Sequence, residues 1–415
     1  MSDTPARVPN SSDPAVQKAG SRSFLFLQGP QSYFFECVGR ALIARGHRVH
    51  RINLNLGDRL FWRLRASDFR GSVMQWPGFV SSVLEEHGVT DLLLQGDRRP
   101  YHIVAADEAR ARGIRIMVTD LGYLRPDWLT LEEDGMTSGS RFPRDPEAIR
   151  AFAKNFPEPD FVPRDVAPFP LLAAHDIVYN VAAVLGRPLY PHYRRHTLYH
   201  PFAEYAGWVR NAPRRLLARR ATASAKIQLA RERGRYFLLP LQLATDFQLR
   251  AHSPFADARE ALCIVLQSFA ASGSGRRLVI VGHPFDEGLI DWRRLVRGHA
   301  GLLFLEGGIP EALLTGAAGL VTVNSTVGLT ALRHRIPVKT LGSAIYDIAG
   351  LTHPGDLAGF WQAPQPPDPD LVAAFLRALV GATQIKGGYY TRAAQKAAIP
   401  AFVDRLERGP EFPLS

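Results

Sequence analysis

Cysteine is almost missing from this chain: Cys37 and Cys263 are the only two in 415 residues. A disulfide scaffold is therefore excluded, and neither cysteine has a partner at metal-ligand spacing. A reducing compartment follows as the expectation. Long apolar runs are missing too. No stretch approaches the roughly 18 apolar residues that cross a bilayer, and the polar Met1–Ser21 has no signal-peptide core. Acid is in short supply: 39 Asp plus Glu stand against 50 Lys plus Arg, a net charge of +11. A basic surface of this kind favours polyanions, whether nucleic acid, anionic lipid or phosphorylated and carboxylated substrates. With no zinc finger, RNP-type strand or long basic tail, nucleic acid is the least supported of these. The phosphate loop of nucleotide hydrolases, the spaced glycines of a dinucleotide fingerprint, the Gly-x-Ser-x-Gly elbow and the His-Glu-x-x-His helix are all lacking.

What is present is ordinary globular composition, 46% hydrophobic and 21% charged. At about 150 residues per domain the length suggests two or three domains. Residues 1–21 read as a flexible tail rich in Ser, Pro and Asp. From Phe24 the pattern alternates. Phe24–Leu27 is a short apolar run closed by Gln28-Gly29-Pro30, a buried strand running into a loop. Helical spacing over Ser32–Arg45 precedes a strand at Val49–Leu54. Helical spacing recurs at Phe79–Glu86 and Tyr101–Arg112, with strands at Asp91–Leu94 and Ile114–Val118. Alternation of this kind implies parallel βαβ units, so residues 22–145 are expected to form one Rossmann-like domain. Residues 146–233 are mostly helical and basic, with Arg214, Arg215, Arg219 and Arg220 clustered near Lys226 and Arg231. That cluster is either a solvated helix face or a face for anions and membrane. A second alternating series, with strands at Tyr236–Leu241, Leu278–Val281, Leu302–Leu305, Gly319–Val323 and Pro337–Leu341, defines a second Rossmann-like domain over 234–366. Residues 367–415 are expected to be helical. The fold class is α/β, two Rossmann-like domains with a cleft between them.

Ligands of such sheets bind beyond the carboxyl ends of the strands, which singles out four exit loops. Gly282-His283-Pro284 places a histidine where it can donate to a phosphate. Asn324-Ser325-Thr326 opens a helix, and free N–H groups with the helix dipole make an anion site there; plain N-capping by Ser325 or Thr326 would use the same residues. Gln242 and Asp246 follow the first strand of the second series, where a carboxylate serves as nucleophile, base or helix cap. Thr119-Asp120 through Arg125-Pro126, with Glu132 beyond and Asp97 on the neighbouring exit, supplies carboxylates of the kind glycosyl chemistry uses.

Together these segments resemble the capsule polysaccharide biosynthesis and export family of Gram-negative bacteria, in its shorter, single-module form. The resemblance covers about residues 23–390. It rests on Phe24–Pro30, Gly46-His47-Arg48-Val49 with Asn53 and Gly57-Asp58, and Gly96-Asp97 with Arg99-Pro100-Tyr101-His102. It continues through Gly122-Tyr123-Leu124-Arg125-Pro126, Gln242 with Asp246-Phe247-Gln248, and His283-Pro284. Val321–Leu329 and Pro337-Val338-Lys339 leading to Ala344-Ile345-Tyr346-Asp347 complete it. The resemblance implies a GT-B fold and a retaining β-Kdo transferase (Kdo is a 3-deoxy-octulosonic acid). That activity uses CMP-Kdo as donor, starts the capsule linker on a phosphatidylglycerol-type lipid, and requires no metal or other cofactor. It implies Asp246 as nucleophile with Gln242 beside it. His283, Pro284, Asn324, Ser325 and Thr326 would hold the CMP phosphate, and Tyr346 and Asp347 the cytidine or its ribose. Gly29, Tyr123, Arg125 and Glu132 would lie on the acceptor side. Where the family carries two acids before Gly-Tyr-Leu-Arg-Pro, this chain has Asp120-Leu121, so an acid or base role falls to Asp120, Asp97 or Glu132. The implied location is cytoplasmic, peripheral on the anionic inner face of the cytoplasmic membrane, among other capsule assembly and export proteins. Two other readings stay open: a non-catalytic scaffold or export subunit that binds lipid-linked polysaccharide, and the same fold acting on a different nucleotide sugar.

Overall fold

A computed structural model describes residues 20–195, 199–243, 249, 252–286, 288, 290–297, 299 and 301–409; the side chains of 214–219 and 221 lie outside that set. Among the described residues, twelve strands form two sheets. The first half runs β1 (Ser23–Phe26), α1 (Phe34–Ala44), β2 (Arg48–Asn53), α2 (Leu56–Leu60), β3 (Ala66–Asp68), α3 (Trp76–Glu86), β4 (Asp91–Gln95), α4 (Pro100–Arg110), β5 (Arg115–Leu121) and β6 (Trp128–Glu133). Three helices follow: α5 (Pro146–Ala153), α6 (Phe169–Leu185) and the long α7 (Pro201–Arg231). The second half holds β7 (Tyr236–Pro240), β8 (Arg277–Val281), β9 (Leu302–Leu305), β10 (Gly319–Thr322) and β11 (Val338–Thr340), and β12 (Gln384–Lys386) comes last.

Both sheets are Rossmann-like. The first has the order β12-β6-β5-β4-β1-β2-β3 and the second β11-β10-β7-β8-β9. All pairings in the second sheet are parallel. Strand β1 is buried from end to end, as the apolar run Phe24–Leu27 requires of a central parallel strand covered on both faces. Two Rossmann-like sheets are what the alternation of strands and helices led us to expect.

Two features differ from the sequence reading. Glu132, taken with the exit segment Thr119–Pro126, lies in strand β6, antiparallel to β5. The C-terminal segment is not helical alone. It contributes β12, which pairs antiparallel with β6, and the helix Arg392–Arg408, which lies on α1. Phe34 holds that junction, with ring centroids 5.0 Å from Tyr389 and 5.2 Å from Phe402. Three-residue pairings made across 250 residues leave no local period to read. The C-terminus thus closes the first sheet, not the second.

The basic middle segment also resolves in part. Lys226 does not face solvent with the arginines. Its ammonium donates to the carbonyls of Glu306, Gly307 and Gly308 at 2.6–2.8 Å, tying α7 to the second domain. Burial lowers its pKa. Arg220 is exposed; the side chains of Arg214, Arg215 and Arg219 lie outside the described residues.

Candidate functional site

The strand exits of the two sheets face each other across a cavity of about 230 Å³. Its second-domain wall comes from three adjacent strands, β8, β7 and β10. Their carboxyl ends deliver His283, Gln242 and Asn324, and the helix Thr326–Arg333 begins at the same place. β7 and β10 are where the strand order reverses, the switch point at which ligands of open α/β sheets bind. Gln242 and Asn324 lock each other. The Gln242 amide donates to Asn324 Oδ1 at 2.9 Å, and the Asn324 N–H reaches Gln242 Oε1 at 3.4 Å. Ser325 caps the helix, its Oγ accepting from the Val327 N–H at 3.3 Å. Capping and anion binding compete for only some of the free N–H groups of a helix start, so the two readings of Ser325 coexist. Tyr346 is buried beneath the helix start and donates to the Ser325 carbonyl. Gly328 permits that approach, because any Cβ there would meet the Tyr346 hydroxyl. His283 accepts the Phe285 N–H on Nδ1 at 3.1 Å.

The first-domain wall carries Asp120, Leu121, Tyr123 and Arg125 from the end of β5 and the turn after it, with Met136 and Thr137 from the loop after β6. Asp120 is partly buried. Burial raises its pKa, opposed by the Leu121 N–H at 2.8 Å and by Arg99 and Arg125. Glu132 is fully buried on β6, and burial pushes its pKa up to about 7. It stands behind the wall and not at it. The Tyr123 hydroxyl donates to Glu132 at 2.7 Å while accepting the Thr137 N–H at 2.9 Å, and Ser140 closes on the other carboxyl oxygen. Asp97 also lies behind. It accepts the Met136 N–H at 3.2 Å, and its second oxygen is buried without a partner among the described residues. His102 in α4 sets that loop. Its burial lowers its pKa to about 3, so the ring is neutral and Nδ1–H donates to the Gly96 carbonyl at 2.7 Å.

The sequence-selected residues therefore divide. Gln242, His283, Asn324, Ser325, Thr326, Tyr346, Asp120, Tyr123 and Arg125 line one cavity. Asp97 and Glu132 support its wall. Asp347 is outside it, accepting from Thr340 at 2.7 Å and Thr352 at 3.0 Å. Pro284 is exposed beside it. Gly29 is a packing position, where a Cβ would run into the Phe35 ring. Asp246 lies outside the described residues. The sequence reading missed Thr137, a β-branched residue with φ 57°. Left-handed backbone is a genuine outlier for such a residue. The Tyr123 hydroxyl and Arg144, which donates to the Thr137 carbonyl at 3.0 Å, hold it there. The only local signal is the bracketing pair Gly135 and Gly139. The two walls are tied by Ser138 to His252 at 2.7 Å and by Arg144 to the Ala344 carbonyl at 3.1 Å.

The model of the capsule polysaccharide biosynthesis protein family matches residues 90–390. The chain belongs to that family. Every capsule-family residue lining the cavity falls within the matched span. The capsule polysaccharide export protein KpsS of Escherichia coli is 34% identical over 381 residues, covering 89% of this chain and 97% of that protein. The capsule polysaccharide modification protein LipB of Neisseria meningitidis serogroup B is 32% identical over 394 residues, covering 90% and 92%. Among solved structures, Thermosulfurimonas dismutans KpsC, beta Kdo 2,7 transferase, aligns over 93% of this chain and 98% of that one, at 12% identity and a TM-score of 0.44.

Proposed function

We propose that this capsule-family protein is a retaining glycosyltransferase that moves β-Kdo from CMP-Kdo to a phosphatidylglycerol-type lipid, starting the capsule linker. Donor and acceptor come from the family resemblance. The observation that carries the reading is the cavity in which a helix start and His283 face Asp120, Tyr123 and Arg125. In this reading the bond between the anomeric carbon and the CMP phosphate breaks as Asp246 attacks, giving a glycosyl-enzyme. The acceptor hydroxyl then displaces Asp246 and gives its proton to Asp120, whose burial-raised pKa makes it a better base than an exposed carboxylate. Negative charge growing on the departing phosphate is met by the positive end of the helix Thr326–Arg333 and by His283. The reaction is proposed to run without a metal, because those donors take the role a metal would fill. Among the described residues no helix is long and apolar enough to cross a membrane, and contact with a bilayer is proposed to be peripheral.

The test is transfer from freshly generated CMP-Kdo to a fluorescent lyso-phosphatidylglycerol analogue, read by mass spectrometry beside an Asp246→Ala control. A gain of one Kdo mass that the control lacks is expected. Folded protein that binds CMP but transfers nothing would point to another acceptor or sugar, and absence of CMP binding would leave the scaffold reading in its place.

A further inference from the structure

A second cavity, about 710 Å³, opens directly beside the first. Its size falls in the range of roughly 300–1,000 Å³ typical of sites that enclose small ligands. Its walls are mainly apolar and aromatic: Phe169, Leu172, Ala173 and Ile177 of α6 face Trp208 and Val209 of α7, with Tyr389 and Tyr390 at the end. The carboxylates within reach are engaged by the protein. Asp176 accepts from Gln31, Asn180 and Tyr205, Asp127 pairs with Lys386, and Asp165 accepts from Thr391. Leu121 and Arg125 line both cavities, so the two meet at the acceptor side of the first. Phe285 joins them a second way. It stacks on Phe169 with centroids 5.4 Å apart, and its N–H is bonded to His283.

Helix α6 itself is unusual. The outer stripe of a helix on a soluble protein is ordinarily polar. Here the polar residues turn inward: His175 bonds the Gln31 carbonyl at 2.7 Å, and Tyr179 donates to buried Asp58 at 3.0 Å. The outward stripe is Ala174, Ile177, Val178, Val181 and Leu185, with Leu185 72% exposed, and Val209 on α7 is 74% exposed. A contiguous apolar face at the mouth of an apolar cavity fits a bilayer surface better than water.

We propose that this second cavity holds the acyl chain of the lipid acceptor, entering from the bilayer past α6, with the phosphate head at Arg125 and the reacting hydroxyl in the first cavity. The identity of the acceptor rests on the transferase reading; the location of the chain does not. A polar head at the junction and a tail in the apolar cavity match the two halves of a single-chain phospholipid. The chain selects the substrate, since each methylene removed from water adds to the affinity.

The experiment uses the full-length protein and a lyso-phosphatidylglycerol carrying a diazirine at the end of its acyl chain. After irradiation, adducts are mapped by mass spectrometry. Adducts are expected on peptides spanning 169–177 and 204–209, suppressed by excess unlabelled lyso-phosphatidylglycerol. Adducts elsewhere, or labelling that the unlabelled lipid does not suppress, would overturn the proposal. Ala173→Trp, which fills the cavity, is expected to weaken lyso-phosphatidylglycerol binding at least tenfold while CMP affinity stays within twofold. Wild-type lipid affinity in a variant that still binds CMP would also overturn it. Adducts in the groove without Kdo transfer would sink the transferase reading and leave the groove standing; transfer with adducts elsewhere would do the reverse.

Discussion

The two walls of the central cavity are built by opposite means. The second-domain wall is regular: three neighbouring parallel strands end together, a capped helix starts, and neutral side chains satisfy one another across it. The first-domain wall is irregular, with an antiparallel pair, buried acids behind the surface and a threonine held at φ 57°. A regular wall can offer fixed N–H groups to an anion whichever ligand is present. An irregular wall with stored strain and carboxylates is suited to a reacting group whose protonation changes. Under the proposed function the contrast matches donor binding to the second domain and acceptor chemistry to the first, and substitutions on each wall should separate the two.

The largest effect should come from Asp246→Ala. Removing the proposed nucleophile, if it acts as part of a unit, costs about 10⁴-fold or more in kcat, with CMP affinity expected to stay near wild type. Next is His283→Ala, expected to lower kcat about 10²-fold, the loss usual for one donor to a developing anion. KM for the lipid acceptor should stay near wild type. A change in acceptor KM with kcat intact would break the division between the walls.

Legibility in the sequence follows the same division. The parallel strands of the second domain announce themselves by short apolar runs ending in Gly, Asn or Gln. Leu302–Leu305 was placed to the residue, and His283, Gln242 and Asn324 followed from the strand-end rule. The first-domain wall depends on pairings that no local period encodes. β6 lies antiparallel between β5 and β12, and β12 arrives from residue 384, so Glu132 read as a loop carboxylate when it is a buried one. Asp97 stood on the right loop, yet nothing local shows that its carboxylate turns to the Met136 N–H. Motif residues such as Asp58 and His102 carried family identity without revealing their work. Asp58 is a buried anchor that accepts from Tyr179 of α6, and His102 pins the Gly96 loop. The apolar outward stripe of α6 has no local marker of its role, because helical spacing alone does not show which face of α6 the rest of the fold covers.

Glu132 sharpens the contrast through pH. Its folded pKa is about 7 against an ordinary 4.5, with burial the main cause and Asp97 adding to it, while Ser140, Tyr123 and Arg144 oppose. Between those two values the folded state holds the proton that the unfolded state has released. Stability must therefore fall as pH rises from about 4.5 to about 7, by up to about 3 kcal/mol if the whole shift is realised. Glu132→Gln keeps the shape without the charge. Denaturant unfolding at pH 5, 6, 7 and 8 should show the variant gaining on wild type as pH rises. Parallel curves would mean that Glu132 is ionised in the folded protein across the range, and the acceptor wall would then be more polar than its burial indicates.

The smallest effect expected is at Thr137. Holding a β-branched residue in left-handed backbone costs about 1–3 kcal/mol. Glycine adopts that conformation freely but has more freedom to lose on folding. Thr137→Gly should thus stabilise the protein by about 1 kcal/mol net, read as a higher urea midpoint with unchanged m-value. If the strain serves the acceptor wall, kcat should drop a few-fold although the protein is more stable, and CMP affinity should not move. Tyr123→Phe supplies the control: it removes the hydroxyl that holds both Glu132 and the Thr137 N–H, so it should loosen the same loop and lower stability instead. A Thr137→Gly enzyme that is more stable and fully active would show that the strained backbone is incidental to the cavity, leaving the antiparallel pair and the buried acids to set the first wall apart from the second.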